Sequence, residues 1–262
     1  MLSKTLLGLL TLLSPAAQPR LAVTVVDQFG APIIDLKAED FAVFQDKTPR
    51  PVQSAEYRKD LVDIVLMADT SAHAASGRNE IQRFADLFIS QLGEKEQMAI
   101  VGYATSADLM QDFTSSKQLL RRAISGFKFG NDAAILDSAF AVLDSGFQQT
   151  VGRRILLIVS SGIEGFSKVR RPEVMDLAQR HRVSIFALSL SGRNSPLDRL
   201  GEESGGASFA GRELRQIEQV SKNLFDAFRG HYELEVGPLD GKFKVEIRTP
   251  REKLQVNYRK ME

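Results

Sequence analysis

The hydrophobic pattern divides the chain into a central part with an α/β pattern and two flanks with a β pattern. In the central part, uninterrupted apolar runs alternate with segments in which apolar residues recur every three or four positions. Such runs are LVDIVLMAD (61–69), RRILLIVSSG (153–162) and VSIFALSLS (183–191). Uninterrupted runs are typical of strands buried on both faces of a parallel sheet, and the recurring spacing is typical of amphipathic helices. The pattern therefore predicts an α/β fold with a doubly wound, mostly parallel sheet and helices on both faces.

The two flanks share a different pattern, in which short segments alternate between apolar and polar residues. LAVTVVD (21–27) alternates in this way in the first flank, where Pro49 and Pro51 favour edge positions. Three segments of the second flank alternate similarly, namely HYELEV (231–236), KFKVEIRT (242–249) and LQVNYRK (254–260). Because the flanks have similar lengths and patterns, we expect them to pair.

This pairing predicts a small β-domain formed by residues 18–58 and 231–262. The α/β domain, residues 59–230, would then be inserted between the two flanks. PLDGK (238–242) predicts a turn in the second flank, and we expect His231, which opens its first strand, to lie on the surface.

The first 17 residues have the pattern of a secretory signal peptide. Lys4 precedes the apolar run LLGLLTLL (6–13), and small residues follow, so that cleavage is expected after Ala16 or Ala17. The run is too short to span a bilayer, so no membrane insertion is expected after cleavage. The chain would then be secreted or periplasmic. A buried N-terminal helix is the alternative interpretation.

The amino-acid composition and the net charge exclude several classes of site and of partner. The chain has 262 residues, a formal net charge of +1 and no cysteine. The charge gives no reason to expect a nucleic-acid partner. The lack of cysteine excludes disulfides, thiolate zinc sites and a cysteine nucleophile.

Polar residues follow the apolar runs at the points where the predicted strands end. Asp69 and Ser71 follow the first run, and Ser161 to Glu164 follow the second. In parallel sheets, ligands bind beyond the carboxyl ends of the strands. This edge of the sheet is therefore the predicted binding edge.

These segments, in this order, resemble the von Willebrand factor type A domain. DIVLMADTS (63–71) is similar to its first strand and metal-site loop, and RRILLIVSSG is similar to a strand that usually ends in Ser-Asp-Gly. LDRLGEESGGASFAG (197–211) is similar to the family stretch LAxxTGGxxF. The flanks resemble a bacterial group of exported proteins that carry this domain. The resemblance implies a role in adhesion or protein interaction.

The resemblance also implies a divalent ion, often magnesium, held by Asp-x-Ser-x-Ser, a Thr and a second Asp. Asp69 and Ser71 match this motif, whereas His73, Ala133 and Ser161 replace its other three ligands. Alanine cannot coordinate an ion, and histidine is a poor ligand for magnesium, which prefers several oxygen ligands. The site is therefore degenerate, and the sequence favours a role for Asp69 and Ser71 in capping backbone N–H groups.

Two nearby acids, Asp132 and Glu164, are the residues that could restore a metal site by turning toward Asp69. If neither acid turns toward Asp69, no metal ion or other cofactor is expected to bind. The function that the resemblance favours is metal-independent binding of another protein at the carboxyl edge of the sheet. The residues expected to take part are Asp69, Ser71, His73, Asp132, Ala133, Ser161 and Glu164.

Two other functions stay open from the sequence. The chain could be a structural component of a cell-envelope assembly that makes no use of the binding edge. It could also be a hydrolase that uses His73 with Asp69 and Ser71. The chain lacks the Gly-x-Ser-x-Gly motif of a nucleophile elbow, so we expect no enzymatic activity.

Overall fold

The computed structural model describes residues 20–190, 196–210, 215–237, 239, 243–248 and 254–261. The signal-peptide prediction and most of the predicted 238–242 turn lie outside these residues. The strands are β1 (Arg20–Val26), β2 (Phe41–Gln45), β3 (Thr48–Arg50), β4 (Val52–Lys59), β5 (Val62–Asp69), β6 (Gln97–Tyr103), β7 (Ala107–Thr114), β8 (Arg153–Ser160), β9 (Val183–Ser189), β10 (Ala207–Ala210), β11 (Gly230–Val236), β12 (Phe243–Ile247) and β13 (Gln255–Met261). The α-helices are α1 (Arg78–Gln91), α2 (Lys117–Ser125), α3 (Ile135–Ser145), α4 (Arg171–Arg180), α5 (Pro196–Glu203) and α6 (Ile217–Arg229).

The central sheet has the strand order β10-β9-β8-β5-β6-β7. Its pairs are parallel except for β6 with β7, which are antiparallel. Every residue of β5 is buried, as are nearly all those of β8 and β9, because helices cover both faces. The predicted doubly wound, mostly parallel sheet is confirmed.

Two apolar cores lie on opposite faces of this sheet. On one face, Phe88 of α1 stacks on Phe228 of α6, with ring centroids 5.6 Å apart. On the other face, α3, α4 and α5 contribute Leu143, Leu177 and Leu200. One core packs against each face of the sheet, so the carboxyl ends of its strands are held in place. Within the described part of the chain, no helix is long and apolar enough to span a membrane.

The flanks form two antiparallel sheets, with strand orders β13-β1-β11-β4 and β12-β2-β3. These sheets share an apolar core that includes Leu21, Phe41 and Tyr232. The strands before and after the α/β part thus pair with one another, as the small β-domain of the predicted fold requires.

His231 corrects one sequence expectation, since it is buried with 3 % of its surface exposed. The prediction placed it on the surface because it opens a short alternating strand. However, β11 lies between β1 and β4 in its sheet, and His231 pairs with Arg58 where the β sheets meet the α/β domain. Its burial follows from the sheet order, which the local pattern does not contain.

Candidate functional site

Three loops meet at the carboxyl edge of the central sheet, and we call this surface the top face (residues 69–75, 130–133 and 161–166). Backbone hydrogen bonds tie the loops together. Ala72 N donates to Asn131 O at 2.8 Å, and Gly165 N donates to Ala133 O at 2.9 Å. The first and third loops are thereby each fixed to the second, so the residues predicted for the site are brought close together.

Asp69, the last residue of β5, has a fully buried carboxylate that is occupied by internal hydrogen bonds. Its Oδ2 accepts from Ser161 N at 2.9 Å and from Ser161 Oγ at 2.6 Å. The same oxygen lies 3.3 Å from Ser160 Oγ, and Oδ1 accepts from Ser71 N at 2.9 Å. Ser161, which the resemblance aligns with the second Asp of the metal motif, is thus a hydrogen-bond donor to the Asp69 carboxylate.

Tyr103 extends this network, although no local sequence pattern singles it out. Its hydroxyl donates to Ser160 Oγ at 2.6 Å. Burial, and then the negative charge of Asp69, raise the pKa of Tyr103 well above its ordinary value. The phenol therefore stays protonated and remains a donor. The contact between Tyr103 and Ser160 forms because the ends of β6, β5 and β8 lie side by side. The sequence feature that could have indicated it is a tyrosine at the end of a predicted strand.

Ser71 behaves differently from the expected cap. Its backbone N–H is held by Asp69, as predicted for that carboxylate. Its own side chain makes no capping hydrogen bond to the 3-10 helix at Ala72–Gly77. The buried Oγ has no hydrogen-bond partner within the described residues. The capping role predicted for the Ser71 side chain is therefore wrong, and Ala74 N donates to the backbone oxygen of Ser71 at 3.1 Å.

The two acids that could restore a metal site are engaged elsewhere. Asp132 Oδ1 lies 2.9 Å from His73 Nε2, with both side chains exposed. Glu164 Oε2 accepts from Leu136 N at 3.1 Å, in the first turn of α3, and its Oε1 accepts from Ser167 N at 3.0 Å. Both carboxylates thus have local structural partners.

These contacts do not fit a magnesium ion. Ala133 offers no side-chain ligand, His73 faces Asp132, and the Asp69 carboxylate is already bonded to donors from the third loop. The described residues contain no group of three or more His, Asp or Glu side chains that could hold a metal. The orphan hydroxyl of Ser71 is a single neutral oxygen, which is too little for a hard dication.

Two exposed apolar side chains lie on the third of the loops predicted to bind the partner, residues 161–166. Ile163 is 42 % exposed and Phe166 is 66 % exposed, both on the third loop. Gly162 allows this loop to turn outward with a φ of 81°, a conformation that favours glycine. The exposed, hydrogen-bonded pair of His73 and Asp132 belongs to the same surface.

The comparisons with known proteins agree with this fold. Residues 64–164 match the family model described as the von Willebrand factor type A domain. No curated protein sequence matches the chain. The matched residues run from β5 to the third loop of the top face, and the predicted type A resemblance is confirmed.

Among solved structures, an aerotolerance-related membrane protein from Bacteroides fragilis is similar over 64 % of this chain and 98 % of its own, with 10 % identity and a TM-score of 0.53. A von Willebrand factor type A protein from Catenulispora acidiphila covers 79 % of this chain with 50 % of its own, at 9 % identity and a TM-score of 0.52. Proximal thread matrix protein 1 from the mussel byssus, in a form with a zinc-occupied metal site, covers 70 % of this chain with 50 % of its own, at 15 % identity and a TM-score of 0.57. At these identities the likeness concerns the fold.

Proposed function

We propose that this chain, which carries a von Willebrand factor type A domain at residues 64–164, binds a partner protein through its top face without a metal ion. Type A domains often serve as protein-interaction modules. The proposal includes export through the N-terminal signal peptide and the absence of enzymatic activity.

The exposed apolar pair on the third loop carries the proposal. Phe166 and Ile163 lie at the carboxyl edge of the sheet, and the polar pair of His73 and Asp132 belongs to the same face. Apolar anchors with a polar surround are the usual composition of a protein interface, and aromatic residues are enriched among its strongest contacts. A partner could therefore be held by burial of these side chains.

The hydrogen bonds of Asp69 support the metal-independent form of binding. In a metal-dependent type A domain, an acidic residue of the partner completes the coordination of the ion. Here the carboxylate of Asp69 is buried and accepts hydrogen bonds from Ser71 N and from Ser161. A partner then has no ion to coordinate, and apolar contact with Phe166 takes over that role.

The binding test compares two charge-introducing substitutions at exposed apolar positions. Phe166→Asp lies on the top face, whereas the matched control Val151→Asp lies just before β8, at the opposite edge of the sheet, where Val151 is fully exposed. Each protein, without residues 1–17, is immobilised and exposed to envelope extract, and captured proteins are quantified with and without EDTA. We expect Phe166→Asp to reduce capture at least about tenfold, and both Val151→Asp and EDTA to leave it unchanged.

Other outcomes would contradict the proposal. Equal capture by wild-type protein and Phe166→Asp, with loss in Val151→Asp, would favour the structural alternative, in which the flanks of the sheet contact an envelope assembly. Loss of capture in EDTA would contradict the metal-independent form.

A further inference from the structure

A second polar region lies at the opposite edge of the central sheet, where the α/β domain meets the four-stranded β sheet. It is a pocket of about 430 Å³, which we call the basal pocket. The residues that matter here are Asp60, Arg153, Arg154, His231, Glu233 and Arg259. They come from the start of β8, from β11 and β13, and from the connection between β4 and β5, so the pocket joins both parts of the molecule.

The lining of the basal pocket has a marked excess of positive charge. Five arginines line it, against two carboxylates. One of these carboxylates, Glu233, forms ion pairs with Arg20 at 3.1 Å and with Arg58 at 3.9 Å. Neither of these two arginines lines the pocket. Arg180 pairs with Asp176, which lies outside the lining. For Arg153, Arg154 and Arg259, Asp60 is the remaining lining carboxylate, and its Oδ2 lies 3.6 Å from His231 Nδ1.

Arg153, Arg154 and Arg259 have no carboxylate within ion-pair distance among the described residues. Arg153 is 8 % exposed, and its Nη1 and Nη2 donate to the neutral oxygens Gly230 O and Thr24 Oγ1. Its Nε is buried without a partner in the described chain, as are Nε and Nη1 of Arg259. Buried charged donors without acceptors are costly, so each of these atoms requires an explanation.

The ionisation of the pocket residues reflects this crowding. Burial, and then the charge of Arg259, lower the pKa of Arg153 to about 9. Burial, and then the charge of Arg182, lower the pKa of Arg259 to about 10. His231 is affected in the same way, by burial and then by Arg153, and its pKa falls to about 3. An anion inside the pocket would oppose all of these shifts.

We propose that the basal pocket binds a small oxyanion of the phosphate class, held by Arg259 and Arg153. A guanidinium presents its N–H groups as a planar fork that matches the oxygens of a phosphate group, and such charge-assisted hydrogen bonds are strong. The bound oxyanion would accept the orphan donors and balance the excess charge. It would also link β8 of the α/β domain to β13 of the β sheet.

Arg259→Met is the substitution that tests this inference, with Arg180→Met as its matched control. Both arginines line the pocket. Arg180, however, is largely exposed and pairs with Asp176 at 2.9 Å. Thermal unfolding is followed at pH 7.5 while inorganic phosphate replaces chloride at constant ionic strength. A ligand that binds the folded state raises the unfolding midpoint in a saturable way.

For wild-type protein and Arg180→Met, we expect a saturable rise of the midpoint with phosphate. For Arg259→Met, we expect binding at least about tenfold weaker, because charge-assisted hydrogen bonds are lost. In chloride alone, Arg259→Met should unfold at a higher temperature than wild type, because an unpaired buried charge has been removed. A residue with a purely structural role would give the opposite shift.

The inference is overturned if phosphate gives no saturable effect on the wild type, or if Arg259→Met responds to phosphate as the wild type does. If Arg259→Met fails to fold, Arg259→Lys provides the same comparison, since it keeps the charge and loses the fork. ³¹P line broadening of phosphate by wild-type protein, absent with Arg259→Lys, would support the site, and equal broadening by both would contradict it.

Discussion

At the scale of single residues, the top face shows how a buried carboxylate can hold loops together. Asp69 lies at the end of β5, and its acceptor oxygens join the first and third loops through Ser71 N and Ser161. Hydrogen bonds to a charged acceptor are about twice as strong as neutral ones. We infer that Asp69 now contributes to the stability of the loops that present Phe166.

Asp69→Ala should therefore destabilise the protein. The substitution leaves the backbone N–H groups of Ser71 and Ser161 buried without their acceptor, and we expect a loss of about 2–4 kcal/mol in the free energy of unfolding. Asp132→Ala is the control, since its carboxylate is exposed and should change stability by less than about 0.5 kcal/mol. Urea unfolding measures both. Equal stability of Asp69→Ala and wild type would show that the network contributes little.

At the scale of elements, α6 continues directly into β11 and so carries the chain from the α/β domain into the β sheets. Gly230 ends the helix and begins the strand, and it pairs with Lys59 of β4. A Cβ atom at Gly230 would overlap the hydroxyl of Tyr57, whose ring lies 5.2 Å from that of Tyr232. The helix can therefore continue directly into the strand only without a side chain at this position.

Gly230→Ala should destabilise the junction by about 1–3 kcal/mol, the usual cost of overpacking. Gly237→Ala, just beyond the other end of β11, is the control, because a Cβ there meets nothing within 4 Å. The two variants are compared by chemical denaturation. The double variant Gly230→Ala, Tyr57→Phe should recover part of the loss if the hydroxyl is the cause. No recovery would place the strain in the Tyr57 ring, whose Cζ is 2.5 Å from that Cβ position, or in the backbone at Asp226 O, 3.2 Å away.

At the scale of the whole molecule, the two parts share a buried junction whose stability depends on pH. His231 lies there with a pKa of about 3, well below the usual value of 6.5. Several charged groups surround it, namely Arg58, Asp60, Arg153, Glu233 and Arg259. Because the folded pKa is lowered, the unfolded chain takes up a proton that the folded chain excludes between about pH 6.5 and pH 3. Stability is therefore present above pH 6.5 and lost as the pH falls toward 3.

Between pH 7.5 and pH 5, His231 should cost the wild type about 2 kcal/mol of unfolding free energy, since the unfolded imidazole is protonated there. His231→Gln removes this contribution, so its stability should fall less over the same interval. His181→Gln is the control, as His181 is the half-buried C-cap residue of α4. Urea unfolding at both pH values gives the difference. Parallel losses in wild type and His231→Gln would show that His231 is not the titrating group.

The sequence predicted the fold more fully than it predicted the site. Apolar runs and helical spacing are local, so the order of strands and helices could be inferred from them. The partners of Asp69 depend on which strands lie beside β5, and neither Tyr103 nor Ser160 is marked by any local pattern. The burial of His231 has the same origin, because it follows from the place of β11 between β1 and β4. Contacts between distant segments were therefore the part that the sequence left open.

The pairing of the first described strand with the last has a mechanical consequence. Arg20 of β1 lies opposite Met261 of β13, and the antiparallel ladder runs from there to the pair Val26 and Gln255. A force that pulls residues 20 and 261 apart acts on one end of this ladder. It would open the hydrogen-bonded pairs one after another, as a zipper opens, and would not shear them together. Under tension, β13 would separate first, while the α/β domain stayed outside the path of the force.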